Sequence, residues 1–228
     1  MIAVEKPAGM LTVGDRYDTN TVHLRGLLKQ KYGEIFVVHR IDKDTSGLIL
    51  FAKDAESHRQ LSMDFESHEV EKVYLAIVNG IPPSEGEINE SLAESVHKPG
   101  TMTVVRKGKE SFTKYKVIEQ FQLFSLLEVE ILTGRMHQIR VHMAYIGHPL
   151  FIDPIYGQRD HFLLSEIKGR RFRLGKYEEE ERPLMSRLSL HAHKLSFTHP
   201  VTKERIQLTS PMPKDFKAVI NQTKKMQF

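Results

Sequence analysis

The chain has 228 residues, of which 40% are hydrophobic, so it is long enough to bury a sizeable core as one large domain or two tightly joined subdomains. It contains no cysteine, which excludes a disulfide framework, thiolate zinc sites and cysteine nucleophiles. No apolar run approaches the roughly 20 residues that a membrane-spanning helix needs, and the first residues lack a secretory signal, so we expect a cytoplasmic protein without membrane contact.

Charge is distributed unevenly along the chain. The 33 Lys and Arg residues exceed the 29 Asp and Glu residues by only four, but two basic clusters stand out, the second with an acidic run behind it. These residues are Lys98, Arg106, Lys107 and Lys109, then Lys168, Arg170, Arg171, Arg173 and Lys176, with Glu178 to Glu181 following. Such clusters can neutralise phosphates and favour nucleic-acid binding, although a solvated surface of mixed charge explains them as well.

The first elements expected are a helix and two short strands. Leucines recur on one face of residues 21–32, Thr21 can cap the start of that helix, and Gly33 suits the position after its end. Apolar runs of strand length follow at 36–38 and 48–52. The polar residues between these two runs are therefore expected to form a loop on a rigid scaffold, a setting that suits catalysis.

Further along, strands outnumber helices. Asp54 can cap a second helix, residues 137–146 have helical spacing closed by Gly147, and Pro213 can open a terminal helix. The buried face of the terminal helix is expected to be Phe216, Val219 and Ile220. Strand patterns cover 71–78, 111–119, 124–132, 188–197 and 203–208. Strands in runs, without regular βαβ alternation, predict an α+β fold with a mostly antiparallel mixed central sheet flanked by helices.

Two polar segments carry chemistry. Residues 39–47 offer the carboxylate of Asp42 beside basic and hydroxyl side chains, and end in a glycine that favours a turn. A plain turn, in which Asp44 or Thr45 bonds to local N–H groups, would explain the same residues. The second segment, 133–140, lies at a strand-to-helix junction, where backbone N–H groups favour anions. The pair of segments favours a functional interpretation.

Four blocks of this sequence resemble the RluA-type pseudouridine synthases. HRIDKDTSGLILFAK at 39–53 is similar to the catalytic block of that family, whose pattern is HRLD, two residues, then TSG. KVYLAIVNG at 72–80 resembles its tyrosine segment, and LSLHAHKLSFTHP at 188–200 its C-terminal core block. LTGRMHQIRVHMAYIGHP at 132–149, followed by Asp153 and Tyr156, resembles its arginine segment. Together the matching segments span nearly the whole chain, from Lys6-Pro7-Ala8-Gly9 to Pro213.

The resemblance implies a fold and a set of site residues. The fold would be the pseudouridine synthase catalytic fold, with two subdomains around an RNA-binding cleft. Residues 1–228 would form one catalytic domain, without the small N-terminal RNA-binding domain that many relatives carry. Asp42 would be the essential aspartate, Tyr74 the active-site tyrosine and Arg140 the arginine that pairs with the aspartate. Arg40 would brace the RNA where the target base has left.

These residue types suit the isomerisation of uridine to pseudouridine. The N1–C1′ bond breaks, the uracil turns and C5 joins C1′, which requires a carboxylate near the sugar. Asp42 would either attack C1′, or the reaction would pass through a glycal with Tyr74 or Asp42 handling a C2′ proton. A bidentate arginine would keep Asp42 ionised and fix its direction. The target base must flip out of the RNA, and an isomerisation needs no cofactor.

Other basic residues are candidate RNA contacts. Arg135 and His137 in the arginine segment are expected to touch phosphate or backbone, as are the basic residues Arg170, Arg171 and Arg173. The last three lie in an insert at 158–182 that is either substrate-specific or a variable loop. Two departures from the family pattern put local loop shape in doubt: Met136 stands where threonine is usual, and Ile152 where a glycine precedes the aspartate.

Two other functions deserve comparison with catalysis on RNA. The twelve histidines suggest a metal enzyme as one alternative. However, the zinc motif HExxH is absent, and the spacing of the histidines is typical of core or hydrogen-bonding residues, so we expect no metal. A catalytically silent RNA-binding module on the same fold is disfavoured by the presence of Asp42, Tyr74 and Arg140 together. The substrate is expected to be a structured stem-loop in transfer RNA or ribosomal RNA, with transfer RNA slightly preferred, and the protein to be a monomer.

Overall fold

A computed structural model describes residues 1–14, 21–175 and 179–226. Its helices are α1 (Leu24–Tyr32), α2 (Ala55–Glu66), α3 (Gln138–Tyr145), α4 (Leu164–Lys168) and α5 (Lys214–Lys224), with a 3-10 turn at Gly169–Arg171. Its strands are β1 (Ile2–Lys6), β2 (Phe36–Val37), β3 (Ser46–Ala52), β4 (Glu71–Asn79), β5 (Glu85–Asn89), β6 (Leu92–Glu94), β7 (Met102–Val104), β8 (Phe112–Gln120), β9 (Phe124–Ile131), β10 (Leu190–Thr198) and β11 (Arg205–Thr209). No helix within these residues is long and apolar enough to cross a membrane.

One continuous sheet of nine strands forms the centre of the described part. Its order is β1-β3-β10-β4-β9-β8-β5, with β2 on β3 and β11 on β10, while β6 and β7 form a separate hairpin. The pairings are antiparallel except that β3 and β10 run parallel where Ser46 and Gly47 meet His191 and Ala192. This arrangement confirms the predicted α+β fold with a mostly antiparallel sheet. The division into one domain with two subdomains stays a prediction.

Helices pack on both faces of the sheet, and successive residues of β4 contact them alternately. Leu75 and Ile77 point into a cluster with α5, whose Phe216, Val219 and Ile220 are buried as expected. Ala76 and Val78 point to the other face, into a cluster with α3. Strand β4 is therefore buried on both sides, which fixes its register.

The sequence prediction differs from the structure at several element ends. Helix α1 begins at Leu24 rather than at residue 21, because the extended His23 caps it through Nδ1, which accepts from the Gly26 N–H at 3.1 Å. Strands β1 and β5 and the β6–β7 hairpin were not predicted, since they are short or carry glycine and charged residues. The insert at 158–182 contains α4, which packs against α5. Lys176 and Glu178 lie outside the described residues.

Gly47 allows the loop before β3 to meet β10. Its φ is +110°, and an added Cβ would lie 2.2 Å from the carbonyl oxygen of Ala192. Only a residue without a side chain permits this backbone approach. The parallel contact therefore fixes the end of the loop that carries Asp42.

We expect Gly47→Ala to destabilise the protein by about 3 kcal/mol or more, because backbone strain and overpacking act together. Gly33→Ala is the matched control, since Gly33 has a φ of +81° but no neighbouring atom within 4 Å of an added Cβ. The control should lose only the strain contribution, about 1–2 kcal/mol. Urea unfolding measures both, and equal losses would contradict the close contact.

His39 stabilises the start of the same loop as a neutral ring. Its Nε2 accepts from the Leu50 N–H at 3.0 Å, and the ring stacks on Phe65 at 4.4 Å. Burial, with the charge of Lys72, lowers the pKa of His39 to about 3. At a pH between this value and the ordinary histidine pKa, His39 is protonated in the unfolded chain but not in the folded chain. Its contribution to stability is therefore complete above about pH 6.5 and is lost as the pH falls towards 3.

His39→Gln keeps a hydrogen-bond acceptor but removes this titration. We expect the unfolding free energy of the variant to fall less steeply between pH 6 and 4.5, by about 1 kcal/mol per pH unit. Above pH 7.5 the two proteins should show parallel pH dependence, since His39 is neutral in both states. Denaturant unfolding at each pH provides the measurement, and an unchanged acid slope would contradict a buried neutral ring.

Candidate active site

A cavity of about 410 Å³ lies where the loop before β3, the middle of β4 and the start of α3 meet. Asp42, Tyr74 and Arg140 all line it, so the structure brings together the three residues that the sequence marks as catalytic. Arg40, Arg135 and His137 line it too. The apolar part of its wall comes from Ile41, Ile131, Ile139 and Leu190. A carboxylate and several cationic or polar groups thus converge on a partly apolar pocket, an arrangement typical of an active site.

The backbone around Asp42 is fixed from several sides. Lys6 donates from Nζ to the carbonyl oxygens of Lys43, Met10 and Pro7 at 2.7, 2.7 and 3.0 Å. Gly9 donates its N–H to the same Lys43 oxygen at 2.9 Å. The Lys6 side chain is buried, and this desolvation lowers its pKa to about 8 against the opposing charges of Asp44 and Asp42. Sequence reasoning gave Lys6 no role, although it begins the first matching segment.

Arg140 lies beside Asp42 but makes its strongest pair elsewhere. Its Nη1 is 3.9 Å from Asp42 Oδ2, whereas Nε and Nη2 donate to Asp153 at 2.8 and 2.7 Å. The expected proximity of Arg140 and Asp42 is therefore present, but the expected bidentate geometry is wrong. Asp153 takes the two parallel hydrogen bonds because its carboxylate faces the Nε side of the guanidinium.

Asp153 is itself held firmly. Its Oδ1 accepts the N–H groups of Ile155 and Tyr156 at 2.9 and 3.1 Å. Burial alone would raise the pKa of the Asp153 carboxyl, but the hydrogen bonds and charge of Arg140 keep it below the ordinary value. The unusual Ile152 before it is buried in the core and does not prevent this contact.

His137 connects Asp42 to Tyr156. Its Nε2 lies 4.0 Å from Asp42 Oδ2, and its Nδ1 lies 2.8 Å from the Tyr156 hydroxyl. The Tyr156 oxygen already accepts the Met102 N–H at 2.7 Å, so we assign the shared hydrogen to the tyrosine as donor. Burial lowers the pKa of His137 despite the opposing charge of Asp42, so a neutral ring with its hydrogen on Nε2 faces the carboxylate. His137, expected at the phosphates, is thus placed within the pocket.

Tyr74 lines the pocket from the middle of β4, which lies between β9 and β10. Burial, and then the charge of Asp42, raise the pKa of its phenol well above the ordinary value. The hydroxyl therefore carries its proton at neutral pH. An aromatic ring with a protonated hydroxyl can stack on a planar base and donate a hydrogen bond.

Gln138 holds the strand-to-helix junction that carries Arg135 and His137. Its Oε1 accepts from the Thr133 hydroxyl and the Arg135 N–H at 2.8 and 3.0 Å. Its Nε2 donates to the Phe112 carbonyl at 2.9 Å, so the junction is tied to β8. Sequence reasoning did not single out Gln138, although it lies inside the arginine segment.

Two grooves extend the pocket into a cleft. One, of about 1110 Å³, runs past Phe65, His68 and Lys72; the other, of about 1090 Å³, runs past Lys107 and Lys109 below the β6–β7 hairpin. Arg40 and Arg135 line the pocket and both grooves. The unusual Met136 lines the second groove. Cations therefore border each part of the cleft, with Glu66 also lining the first groove and Glu94 the second.

The basic residues of the insert are placed differently. Arg170, Arg171 and Arg173 are exposed on and after the 3-10 turn, and within the described residues they line neither the pocket nor its two grooves. Among those same residues, no group of three His, Asp or Glu side chains is arranged to hold a metal ion.

Comparisons with known proteins identify the family of this chain. Residues 1–145 match the family model described as RNA pseudouridylate synthase. The ribosomal large subunit pseudouridine synthase D of Neisseria meningitidis serogroup B is 35% identical over 221 residues, which cover 94% of this chain and 56% of that protein. The enzyme of the same name from Zymomonas mobilis is 35% identical over 229 residues, covering 94% of this chain and 67% of that protein.

A solved structure shows the same fold. Human RNA pseudouridylate synthase domain containing 4 superposes with a TM-score of 0.73 and 24% identity, covering 97% of this chain and 89% of the human one. The chain spans little more than half the length of the Neisseria relative. The family match nevertheless covers well over half of this sequence. The chain belongs to the RNA pseudouridylate synthase family.

Proposed function

We propose that this protein isomerises uridine in RNA to pseudouridine, with Asp42 as the catalytic carboxylate. The observation that carries the proposal is the convergence of Asp42, Arg140 and Tyr74 on one pocket of a pseudouridylate synthase chain. The Asp42 side chain is 26% exposed, so it is accessible to a sugar but partly shielded from water. Arg140 lies beside it, with Nη1 3.9 Å from Asp42 Oδ2.

The reaction is balanced within the substrate. The N1–C1′ bond breaks with its electron pair passing to the uracil, and positive charge develops at C1′. Asp42 either bonds to C1′ or stabilises that charge while a C2′ proton leaves to form a glycal. The uracil then turns and C5 bonds to C1′, while the Asp42–C1′ bond breaks or, on the glycal route, a proton returns to C2′. The C5 proton is released and N1 gains a proton. No oxidant, reductant or cofactor enters the balance.

Tyr74 orients the uracil rather than removing a proton. Its pKa is raised by burial and by Asp42, so a phenolate is scarce at neutral pH. On the glycal route, the C2′ proton would therefore pass to Asp42, whose carboxylate is the available base in the pocket. Tyr74 supplies a ring for stacking and a hydroxyl that donates a hydrogen bond.

The cleft suits an RNA strand with one base flipped out. Arg40 is exposed next to Asp42 and borders all three cavities, so it can occupy the space that the uridine vacates. Arg135 borders the same cavities, and Lys107 and Lys109 extend the cationic wall to the hairpin. These four residues are positioned to contact phosphates. The insert arginines would add a second contact outside the cleft.

The names of the relatives favour ribosomal RNA as the substrate. Both relatives compared above are described as ribosomal large subunit pseudouridine synthases. We therefore propose ribosomal RNA as the substrate in preference to transfer RNA, whose stem-loop the sequence slightly favoured. A cytoplasmic location and a monomeric state stay predictions.

Asp42→Asn should abolish pseudouridine formation, because the amide cannot bear the charge that stabilises C1′. Its RNA affinity should stay within a few-fold, since the phosphate contacts are unchanged. Pseudouridine mapping of total RNA from cells lacking the gene, complemented with wild type or variant, identifies both the activity and the target site.

Asp44→Asn is the matched control, because Asp44 lies two residues along the same loop but does not line the pocket. It should restore the missing sites as wild type does. Restoration by Asp42→Asn would refute the catalytic assignment. Full-strength RNA binding without any turnover by the wild type would instead favour the catalytically silent module.

The insert contact is tested by salt dependence. If Arg170, Arg171 and Arg173 each neutralise a phosphate, replacing all three by glutamine should lower the slope of log K against log salt by about 2–3. Arg135→Gln, in the cleft, should lower it by about 1 and provides the reference. Filter binding at several salt concentrations gives these slopes. An unchanged slope for the triple variant would mean that the three insert arginines are solvated surface residues and do not contact phosphate.

A further inference from the structure

The guanidinium of Arg140 is shared unequally between two carboxylates. Asp153 receives two short hydrogen bonds, while Asp42 faces the remaining nitrogen at 3.9 Å. Arg140 is 3% exposed and Asp153 is fully buried, so water does not replace either partner. The two carboxylates and one guanidinium together leave one negative charge, and His137 adds none while it is neutral.

We propose that Asp153 is a positioning residue of the reaction, which holds Arg140 so that it orients Asp42 without binding it bidentately. This proposal rests on the proposed function. A guanidinium with a free fork would pair with both oxygens of Asp42, since parallel N–H bonds are the favoured geometry of an arginine and a carboxylate. Both oxygens of Asp42 would then be bound to the guanidinium, which would leave less negative charge available to C1′. Asp153 occupies the fork and leaves Asp42 a single, longer contact.

The structure around Asp153 is built to keep it in place. Two backbone N–H groups bind Oδ1, and the Gly157 N–H binds the Asp153 carbonyl oxygen at 2.9 Å. A Cβ on Gly157 would lie 2.7 Å from that oxygen, so this turn requires glycine. The Tyr156 ring lies over the guanidinium, 5.0 Å from its carbon to the ring centre. The 153–157 turn therefore fixes the carboxylate below Arg140 and covers the guanidinium with a ring.

The role of Asp153 differs from that of a purely structural ion pair. A structural pair would affect the amount of folded protein but not the rate per folded molecule. A positioning role predicts that the chemical step slows while RNA binding is preserved. It also predicts that Asp153 acts only through Arg140, so that the effects of changing the two residues are not additive.

The test uses release of tritium from RNA carrying 5-tritiated uridine, since the C5 hydrogen is lost when C5 bonds to C1′. Single-turnover rates and RNA dissociation constants are measured for wild type, Asp153→Asn, Arg140→Gln and the double variant, with circular dichroism to report folding. We expect Asp153→Asn to react at least 100-fold more slowly, with RNA affinity within threefold. In the Arg140→Gln background, the same change should alter the rate less than threefold.

Asp215→Asn is the matched control, because Asp215 binds Nε and Nη2 of Arg187 in the same bidentate geometry outside the pocket. It should leave the single-turnover rate within threefold of wild type. If Asp153→Asn does not fold, Asp153→Glu, which keeps the negative charge opposite Arg140 but displaces the carboxylate, is measured in its place. A folded Asp153→Glu that reacts within threefold of wild type would overturn the positioning role.

The outcomes separate this proposal from the proposed function. A wild type that releases no tritium from ribosomal or transfer RNA would refute the isomerase activity, and the role of Asp153 with it. An active wild type with an equally active, folded Asp153→Asn would overturn only the positioning role. A further loss beyond threefold in the double variant would also overturn it, since Asp153 would then act independently of Arg140.

Discussion

The buried guanidinium of Arg140 is the constraint on which the rest of the site depends. An arginine that is 3% exposed requires a paired carboxylate, because an unpaired buried charge costs about 3–5 kcal/mol. That is a large part of the 5–15 kcal/mol that stabilises a typical domain. Asp153 meets this requirement, so the electrostatics of the pocket and the stability of the fold cannot be changed separately. The site is therefore assembled whenever the chain is folded.

The same preorganisation holds the loop that carries Asp42. Lys6 brings three carbonyl oxygens together at one end, and the parallel meeting of Gly47 with Ala192 fixes the other. Between these anchors, Thr45 donates its N–H to the Asp42 carbonyl at 3.2 Å. A carboxylate on such a loop needs little rearrangement to meet positive charge that develops in the pocket, which is how fixed polar groups lower a barrier.

The sequence predicted the members of the site better than their contacts. Asp42, Tyr74 and Arg140 were identified by motif, and the pattern at 71–78 predicted strand β4. Asp153 was not identified as the partner of Arg140, because it lies beyond the end of α3 and only the turn at 153–157 directs its carboxylate towards that helix. The parallel contact between β3 and β10 joins residues about 145 apart, and no local pattern encodes it. Strand β5 was missed because antiparallel pairing with β8, rather than its own polar sequence, specifies it.

The groove under the β6–β7 hairpin and the catalytic pocket share one hydrogen-bonded chain. The Met102 N–H of β7 binds the Tyr156 hydroxyl, which binds His137, whose other nitrogen faces Asp42. Tyr156 also lies over the Arg140 guanidinium. A single side chain thus links the wall of this groove to both charged groups of the pocket. Burial lowers the pKa of His137, which favours the neutral ring that accepts the Tyr156 hydrogen. The shape of the groove and the alignment of the carboxylate therefore follow from the same packed elements.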